Sequence, residues 1–136
     1  MNTAPARDLA VPVGAFIGWA GLFVHNLADL PGQTFLSPES IIPLLVTAVL
    51  VAGWFTPARY AATVALLSWG LLNFLGGGVL SVLPLPFLPF APEQTPSHYL
   101  FHGVYALAQL PLIIGTAGWL RIHSRTGQRH PSGDAP

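Results

Sequence analysis

The chain has 136 residues, of which 52% are hydrophobic and only 7% are charged. A soluble domain carries about a quarter charged residues, so this composition excludes an ordinary soluble protein and predicts an integral membrane protein. The formal net charge is zero, which gives no support for nucleic acid as a partner. The chain contains no cysteine, which excludes disulfides, thiolate metal ligands and iron–sulfur clusters.

Four apolar runs have close to the length of about 20 residues that a helix needs to cross a bilayer. The predicted fold class is therefore an all-α integral membrane protein, a bundle of four transmembrane helices that forms a single membrane domain over residues 1–136. The expected spans are about 9–30, 40–56, 58–76 and 96–121. A short polar lead over residues 1–8 is expected to be disordered, and residues 122–136 are expected to form a polar cytoplasmic tail.

Turn and proline residues define the first two helices. The pair Pro31-Gly32 is expected to end the first helix. A helix that began at Pro38 would bring the ring of Pro43 against the Glu39 carbonyl. The second helix is therefore expected to begin nearer Ile41 or to be kinked.

The connection between the third and fourth helices has an unusual composition. Three successive glycines at 76–78 are expected to weaken or end the third helix. Residues 79–92 are apolar yet contain four prolines, which a regular helix does not accommodate. This pattern predicts an apolar, proline-rich outer loop that lies in the membrane interface or folds over the bundle as a lid.

Charge distribution predicts the orientation in the membrane. In the four-span arrangement all five basic residues fall on one side, and they are Arg7, Arg59, Arg121, Arg125 and Arg129. Three acidic residues, Asp29, Glu39 and Glu93, fall on the other side. The positive-inside rule then places both termini in the cytoplasm. The use of arginine without lysine in an Ala-, Gly- and Pro-rich chain is typical of a high-GC genome, which indicates a bacterial cytoplasmic membrane.

The fourth apolar run carries a row of polar side chains. Read as a helix, it presents His98, His102, Tyr105 and Gln109 at spacings of four, three and four, so that all four lie on one face. Ionisable residues inside membrane spans are rare and are most often functional.

The first apolar run has a matching stripe. Gly14, Gly18 and Gly21 come first, and His25 and Asp29 follow on the same face. Small residues at this spacing let another helix approach closely. A rise of about 1.5 Å per residue places His25 and His102 at similar depths, about 8 and 9 Å from the outer helix ends.

Together, the two stripes predict a metal site in an outward-facing His/Asp layer. The ligands would be His25, Asp29, His98 and His102, because an i,i+4 pair directs two side chains at a common point and imidazole with carboxylate suits zinc or another divalent transition metal. Glu39, Asn73 or Glu93 would supply a second shell or a fourth ligand. A metal-bound water beneath the proline-rich lid, with Asp29 or Glu93 as base, would suffice for hydrolysis. The sequence does not determine whether the protein is an enzyme.

Several alternatives remain open at this stage. The same layer would suit haem with His25 and His102 as axial ligands, or a proton-handling role. Without any cofactor, the polar residues would hold helices together near the headgroups. The protein would then be a non-catalytic accessory or stabilising subunit of a larger membrane complex, or a homo-oligomer, with the lipid bilayer as its immediate partner.

Overall fold

The computed structural model describes residues 4–89 and 91–127, with side chains described for 9–89 and 91–124. Within these ranges the chain is all-helical and contains no strand. The four α-helices are α1 (Ala4–Asp29), α2 (Pro38–Trp54), α3 (Arg59–Leu72) and α4 (Pro96–Gly127). A π-helix over Asn73–Leu80, called the π segment below, continues α3 directly.

Within the described chain, three helical stretches are long and apolar enough to cross a membrane. They are Leu9–Asp29, Arg59–Leu80 and Pro96–Ser124. Large apolar side chains are exposed on each of them, for example Phe16, Leu72 and Leu107. Such surfaces are stable in lipid rather than in water, as expected of an integral membrane protein. Helix α2 has 17 residues and is shorter, so that four membrane crossings remain a prediction.

Helix packing separates an apolar half of the molecule from a polar half. Helix α1 packs most extensively against α4, α2 packs against α1 and α3, and α3 packs against α4. The apolar core lies away from the Asp29 end of α1, and it consists of Val11, Ala15, Trp54, Leu66 and Leu112. The buried polar side chains of α1 and the first half of α4 lie nearer the Asp29 end.

The glycine stripe of α1 faces α4, as the sequence indicates. A Cβ atom on Gly14 would lie 2.8 Å from the backbone nitrogen of Leu112. One on Gly18 would lie 2.7 Å from Oε1 of Gln109, and one on Gly21 would overlap Ala108. Only glycine lets the two backbones approach this closely, so the stripe fixes how α1 and α4 are registered.

Helix α2 begins at Pro38, earlier than the start near Ile41 that the sequence suggests. Pro43 lies inside this helix and removes the N–H that would bond the Glu39 carbonyl. The side chain of Asn26 on α1 replaces that N–H, because its Nδ2 donates to the Glu39 carbonyl oxygen at 2.9 Å. A partner on another helix therefore satisfies the carbonyl that the proline leaves free.

The three glycines do not end the third helix, which corrects the expectation that it stops near residue 76. The helix changes from α to π geometry at Asn73, and the backbone N–H of Ser81 donates to the Gly76 carbonyl at 3.0 Å. A Cβ on Gly77 would lie 2.6 Å from Cε1 of Tyr105, and one on Gly78 would lie 2.8 Å from Cβ of Ala106. The glycines thus allow the π segment to lie directly on α4.

The chain ends and the connections complete the fold. Helix α1 begins at Ala4, so the expectation of a disordered lead over residues 1–8 is wrong for residues 4–8. Helix α4 likewise extends to Gly127, into the predicted polar tail, and residues 128–136 lie outside the described residues. Gly32 adopts a φ of 70°, which explains the Pro31-Gly32 turn after α1. Residues 81–89 and 91–95 form turns and extended chain without a helix.

Candidate metal site

The end of α1 and the first turns of α4 bring four predicted ligand residues together. His25 and Asp29 lie one turn apart on α1, and His98 and His102 lie one turn apart on α4. The side chains of His25 and His98 are 12% exposed and that of Asp29 is 10% exposed. His102 is buried. Because α1 and α4 pack closely along the glycine stripe, the two pairs lie side by side at the same level of the bundle.

Three of the four residues form a compact group of potential ligand atoms. His25, Asp29 and His102 each offer one atom, and these atoms all lie within 4.8 Å of one another. Nε2 of His25 is 2.9 Å from Nε2 of His102 and 3.4 Å from Oδ2 of Asp29. The geometry therefore brings two imidazoles and one carboxylate from two helices to one point.

The hydrogen bonds around His25 determine which of its nitrogens carries the proton. Asn26 donates both hydrogens of its side-chain amide, to the Glu39 carbonyl at 2.9 Å and to Oγ of Ser40 at 3.2 Å. Its Oδ1 therefore points to Nδ1 of His25, 3.2 Å away, and accepts from it. In the neutral ring this assignment leaves Nε2 of His25 without a hydrogen.

The π segment fixes His102 in the same way. Nδ1 of His102 is 2.9 Å from the carbonyl oxygen of Gly77. A carbonyl oxygen only accepts, so Nδ1 is the donor, and Nε2 of the neutral ring bears a lone pair. A backbone carbonyl or carboxylate on the far nitrogen is the usual arrangement for a histidine that ligates a metal through its other nitrogen.

These assignments place three electron-pair donors against one another. The bare Nε2 atoms of His25 and His102 face each other, and a carboxylate oxygen of Asp29 lies beside them. Oδ2 of Asp29 is buried and receives no well-directed hydrogen bond from the described residues. Because facing lone pairs repel, a cation among these atoms, either a proton or a metal ion, would stabilise the arrangement.

His98 lies beside this group rather than within it. Its Nδ1 lies 2.9 Å from Oδ2 of Asp29, and its ring packs edge-on against His102 with centroids 4.4 Å apart. Its Nε2 is buried and has no hydrogen-bond partner among the described side chains and backbone. This position is that of a residue that orients the Asp29 carboxylate.

Asn73, one of the predicted second-shell residues, supports the site through an intermediary. The Tyr105 hydroxyl donates to Oδ1 of Asn73 at 2.5 Å, and Nδ2 of Asn73 donates to the Trp69 carbonyl at 2.8 Å. The Tyr105 ring in turn packs on His25, with centroids 5.5 Å apart. Asn73 therefore positions Tyr105, whose ring contacts His25.

The two predicted second-shell glutamates occupy different surroundings. The carboxylate of Glu39 accepts from Nε2 of Gln33 at 3.3 Å on the exposed surface, and only the backbone carbonyl of Glu39 connects to the site, through Asn26. Glu93 borders the pocket over the metal-ligand group. Of the two glutamates, Glu93 is therefore the one that borders the pocket beside the candidate site.

The pocket has a volume of about 320 Å³ and is bordered by all four predicted ligands. The end of the proline-rich connection provides part of its wall, through Ala91 and Pro92 next to Glu93. Leu30 and Ser81 complete the lining. Residues 91–93 therefore lie beside the candidate site, and the expectation that the whole connection lies in the interface or forms a lid stays a prediction.

Sequence reasoning missed Asn26 and the Gly77 carbonyl. Asn26 has a signal in the sequence, since it is a polar amide next to His25 in an otherwise apolar run. The Gly77 carbonyl has none, because it depends on π geometry that places a backbone group where no side-chain pattern records it.

No protein-family model, curated protein or solved structure matches this chain.

Proposed function

We propose that this integral membrane protein binds one divalent transition-metal ion, preferably zinc, through His25, Asp29 and His102. The observation that carries the proposal is the contact between two imidazole nitrogens whose lone pairs face each other beside a buried carboxylate oxygen. A divalent cation satisfies all three atoms at once. Two imidazoles and a carboxylate are ligands that zinc uses in proteins.

The distances require little movement for zinc. Zinc–nitrogen bonds of about 2.0–2.1 Å in tetrahedral geometry separate two ligand nitrogens by about 3.3 Å. The Nε2 atoms of His25 and His102 are 2.9 Å apart. Small rotations of the two rings about their side-chain bonds would open this separation by about 0.4 Å.

Haem fits this arrangement less well than a small ion. The two histidines that would be its axial ligands touch through their Nε2 atoms, and their ring centroids are 4.3 Å apart. A porphyrin iron between them would require the α1 and α4 ends to separate, yet the glycine contacts between these helices are already tight. The geometry therefore favours a cation without a macrocycle.

The metal would lie near the outer surface of the membrane. The described basic residues Arg59 and Arg121 are at the ends of α3 and α4 remote from Asp29 and Glu93. The positive-inside rule then assigns the Asp29 end to the outside and both termini to the cytoplasm. Four membrane crossings are consistent with this assignment and are part of the proposal.

Cobalt(II) titration of the detergent-solubilised protein tests the proposal directly, because cobalt occupies zinc sites and its visible absorption reports coordination number. We expect one equivalent to bind with the intense bands of a tetrahedral or five-coordinate complex, and one equivalent of zinc to displace it. His25→Ala and His102→Ala should each abolish these bands. His123→Ala, at the opposite end of α4, provides the matched histidine control and should bind normally.

Failure of the wild-type protein to bind cobalt or zinc tightly would contradict the metal proposal. Retained binding in both His25→Ala and His102→Ala would contradict the assigned ligands. Size-exclusion profiles identical to that of the wild type would show that the variants are folded.

A further inference from the structure

The three-residue ligand set leaves a coordination position open. Structural zinc sites are closed by four protein ligands, whereas catalytic sites use three and keep the fourth for water or substrate. Here the compact group contains three ligand atoms, and His98 is directed to Asp29. All three ligand residues border the same pocket of about 320 Å³, so a water or substrate molecule in this cavity would lie beside them. This volume is in the range of small-molecule sites.

The residues that line this pocket include a second acidic residue. Glu93 borders the pocket, and it lies outside the group of ligand atoms. A carboxylate near a metal-bound water, but not itself a ligand, is positioned to act as a general base. Ser81 also borders the pocket, but its hydroxyl donates to the Gly77 carbonyl at 2.5 Å, and a carbonyl oxygen is not a base that could activate it as a nucleophile.

The charges and the walls define the class of substrate. The charges of a divalent metal ion and of the Asp29 and Glu93 carboxylates sum to zero. Among the described residues, the pocket lining contains no arginine or lysine. A phosphate ester would find no excess positive charge there. Leu30, Ala91 and Pro92 provide apolar walls. An uncharged carbonyl compound with an apolar chain matches both features.

We propose that the metal-loaded site hydrolyses uncharged carboxylic esters with an apolar acyl chain, with Glu93 as the general base; this rests on the metal binding proposed above. The oxygen of the metal-bound water attacks the carbonyl carbon, and Glu93 takes the proton that the water releases. The bond between the carbonyl carbon and the ester oxygen then breaks, and Glu93 returns the proton to the departing alkoxide. Acid and alcohol leave, and no oxidant or reductant is required.

Hydrolysis of 4-nitrophenyl butyrate and octanoate by the zinc-loaded, detergent-solubilised protein tests this assignment. The zinc content of every sample is measured first by elemental analysis. We expect turnover of both esters above that of the zinc-free protein and no turnover of bis(4-nitrophenyl) phosphate. Glu93→Gln should lower kcat by about 100-fold or more with zinc content unchanged. Glu93→Asp should restore part of the rate, and Ser97→Ala, on the exposed surface of α4, should leave it unchanged.

The outcomes separate the two proposals. Absence of stoichiometric zinc in the wild-type protein overturns the metal proposal and the hydrolysis with it. Stoichiometric zinc with ester turnover no faster than in the zinc-free protein overturns the hydrolysis alone. Full activity in Glu93→Gln overturns the role of Glu93, and faster hydrolysis of the phosphate diester than of the esters overturns the substrate class.

Discussion

Nε2 of His25 lies 2.9 Å from Nε2 of His102, although the hydrogen of each neutral ring is already donated elsewhere. The Asn26 amide accepts one of these hydrogens and the Gly77 carbonyl accepts the other. Two acceptors in direct contact inside a membrane protein are unstable without a cation between them. The consequences of this contact can be tested residue by residue.

His98 is expected to act through Asp29. Its Nδ1 contacts the Asp29 carboxylate at 2.9 Å, and partners that orient a ligand typically contribute 10–100-fold to metal affinity. We therefore predict that His98→Ala weakens zinc binding by about 10–100-fold without abolishing it. Competition with a chelator of known affinity measures the change.

Loss of zinc binding in His98→Ala as complete as in His102→Ala would instead make His98 a ligand, as the sequence alone suggests. X-ray absorption of the zinc-loaded wild type provides an independent check. The spectrum should show two imidazole ligands if His25 and His102 alone bind zinc, and three if His98 binds it as well.

The sequence predicts side-chain patterns well and backbone partners poorly. The spacings of four and three residues correctly place His98, His102, Tyr105 and Gln109 on one face of α4, where the last three are buried and His98 is partly buried. The glycine stripe of α1 correctly indicates a close helix contact. These features depend only on helix periodicity, which the chain shows directly.

The hydrogen bonds that the sequence does not reveal are those to backbone carbonyl groups. The Glu39 carbonyl is free because of Pro43 and is satisfied from another helix by Asn26. The Gly77 carbonyl reaches His102 because the third helix continues in π geometry through the glycines. Both interactions determine the orientation of a site histidine, and both require the three-dimensional arrangement to be seen.

A double-mutant cycle tests the pairing of Asn26 with the proline-freed carbonyl. Asn26→Leu leaves the Glu39 carbonyl without its donor, which should destabilise the fold by about 1–3 kcal/mol. Pro43→Ala supplies a backbone N–H to the same carbonyl. In the Pro43→Ala background we therefore expect Asn26→Leu to cost at least about 1 kcal/mol less.

The free energy of unfolding, measured in mixed micelles with increasing SDS, gives the four values of the cycle. Equal costs of Asn26→Leu in both backgrounds would show that the Asn26–Glu39 bond does not compensate for Pro43.

Gly77 should tolerate no side chain. A Cβ there would lie 2.6 Å from Cε1 and 2.7 Å from the hydroxyl oxygen of Tyr105. Gly77→Ala is expected to destabilise the protein by about 1–3 kcal/mol and to weaken zinc binding, because the carbonyl that holds His102 would be displaced. Gly103→Ala is the matched control, since a Cβ at Gly103 meets nothing within 4 Å.

Thermal unfolding followed by tryptophan fluorescence compares the two variants. A melting temperature for Gly77→Ala equal to that of Gly103→Ala would contradict the close contact between the π segment and α4.

The topology can be tested with single cysteines, because the chain contains none. Gln33→Cys lies between α1 and α2, Ser97→Cys lies at the start of α4, and Thr56→Cys lies between α2 and α3. If α2 crosses the membrane, a membrane-impermeant maleimide added to intact cells should label positions 33 and 97 but not 56. Labelling of 33 and 56 from the same side would mean that α2 does not cross.

The metal content of the protein as purified tests the central claim most directly. Elemental analysis of the detergent-solubilised wild type should give close to one zinc or other divalent transition-metal ion per chain. The folded variant His25→Ala/His102→Ala should contain none, and His123→Ala should match the wild type. Absence of metal from a folded wild type that also fails to take up added zinc would contradict the account, and would leave the His25–His102 contact as a hydrogen bond between helices.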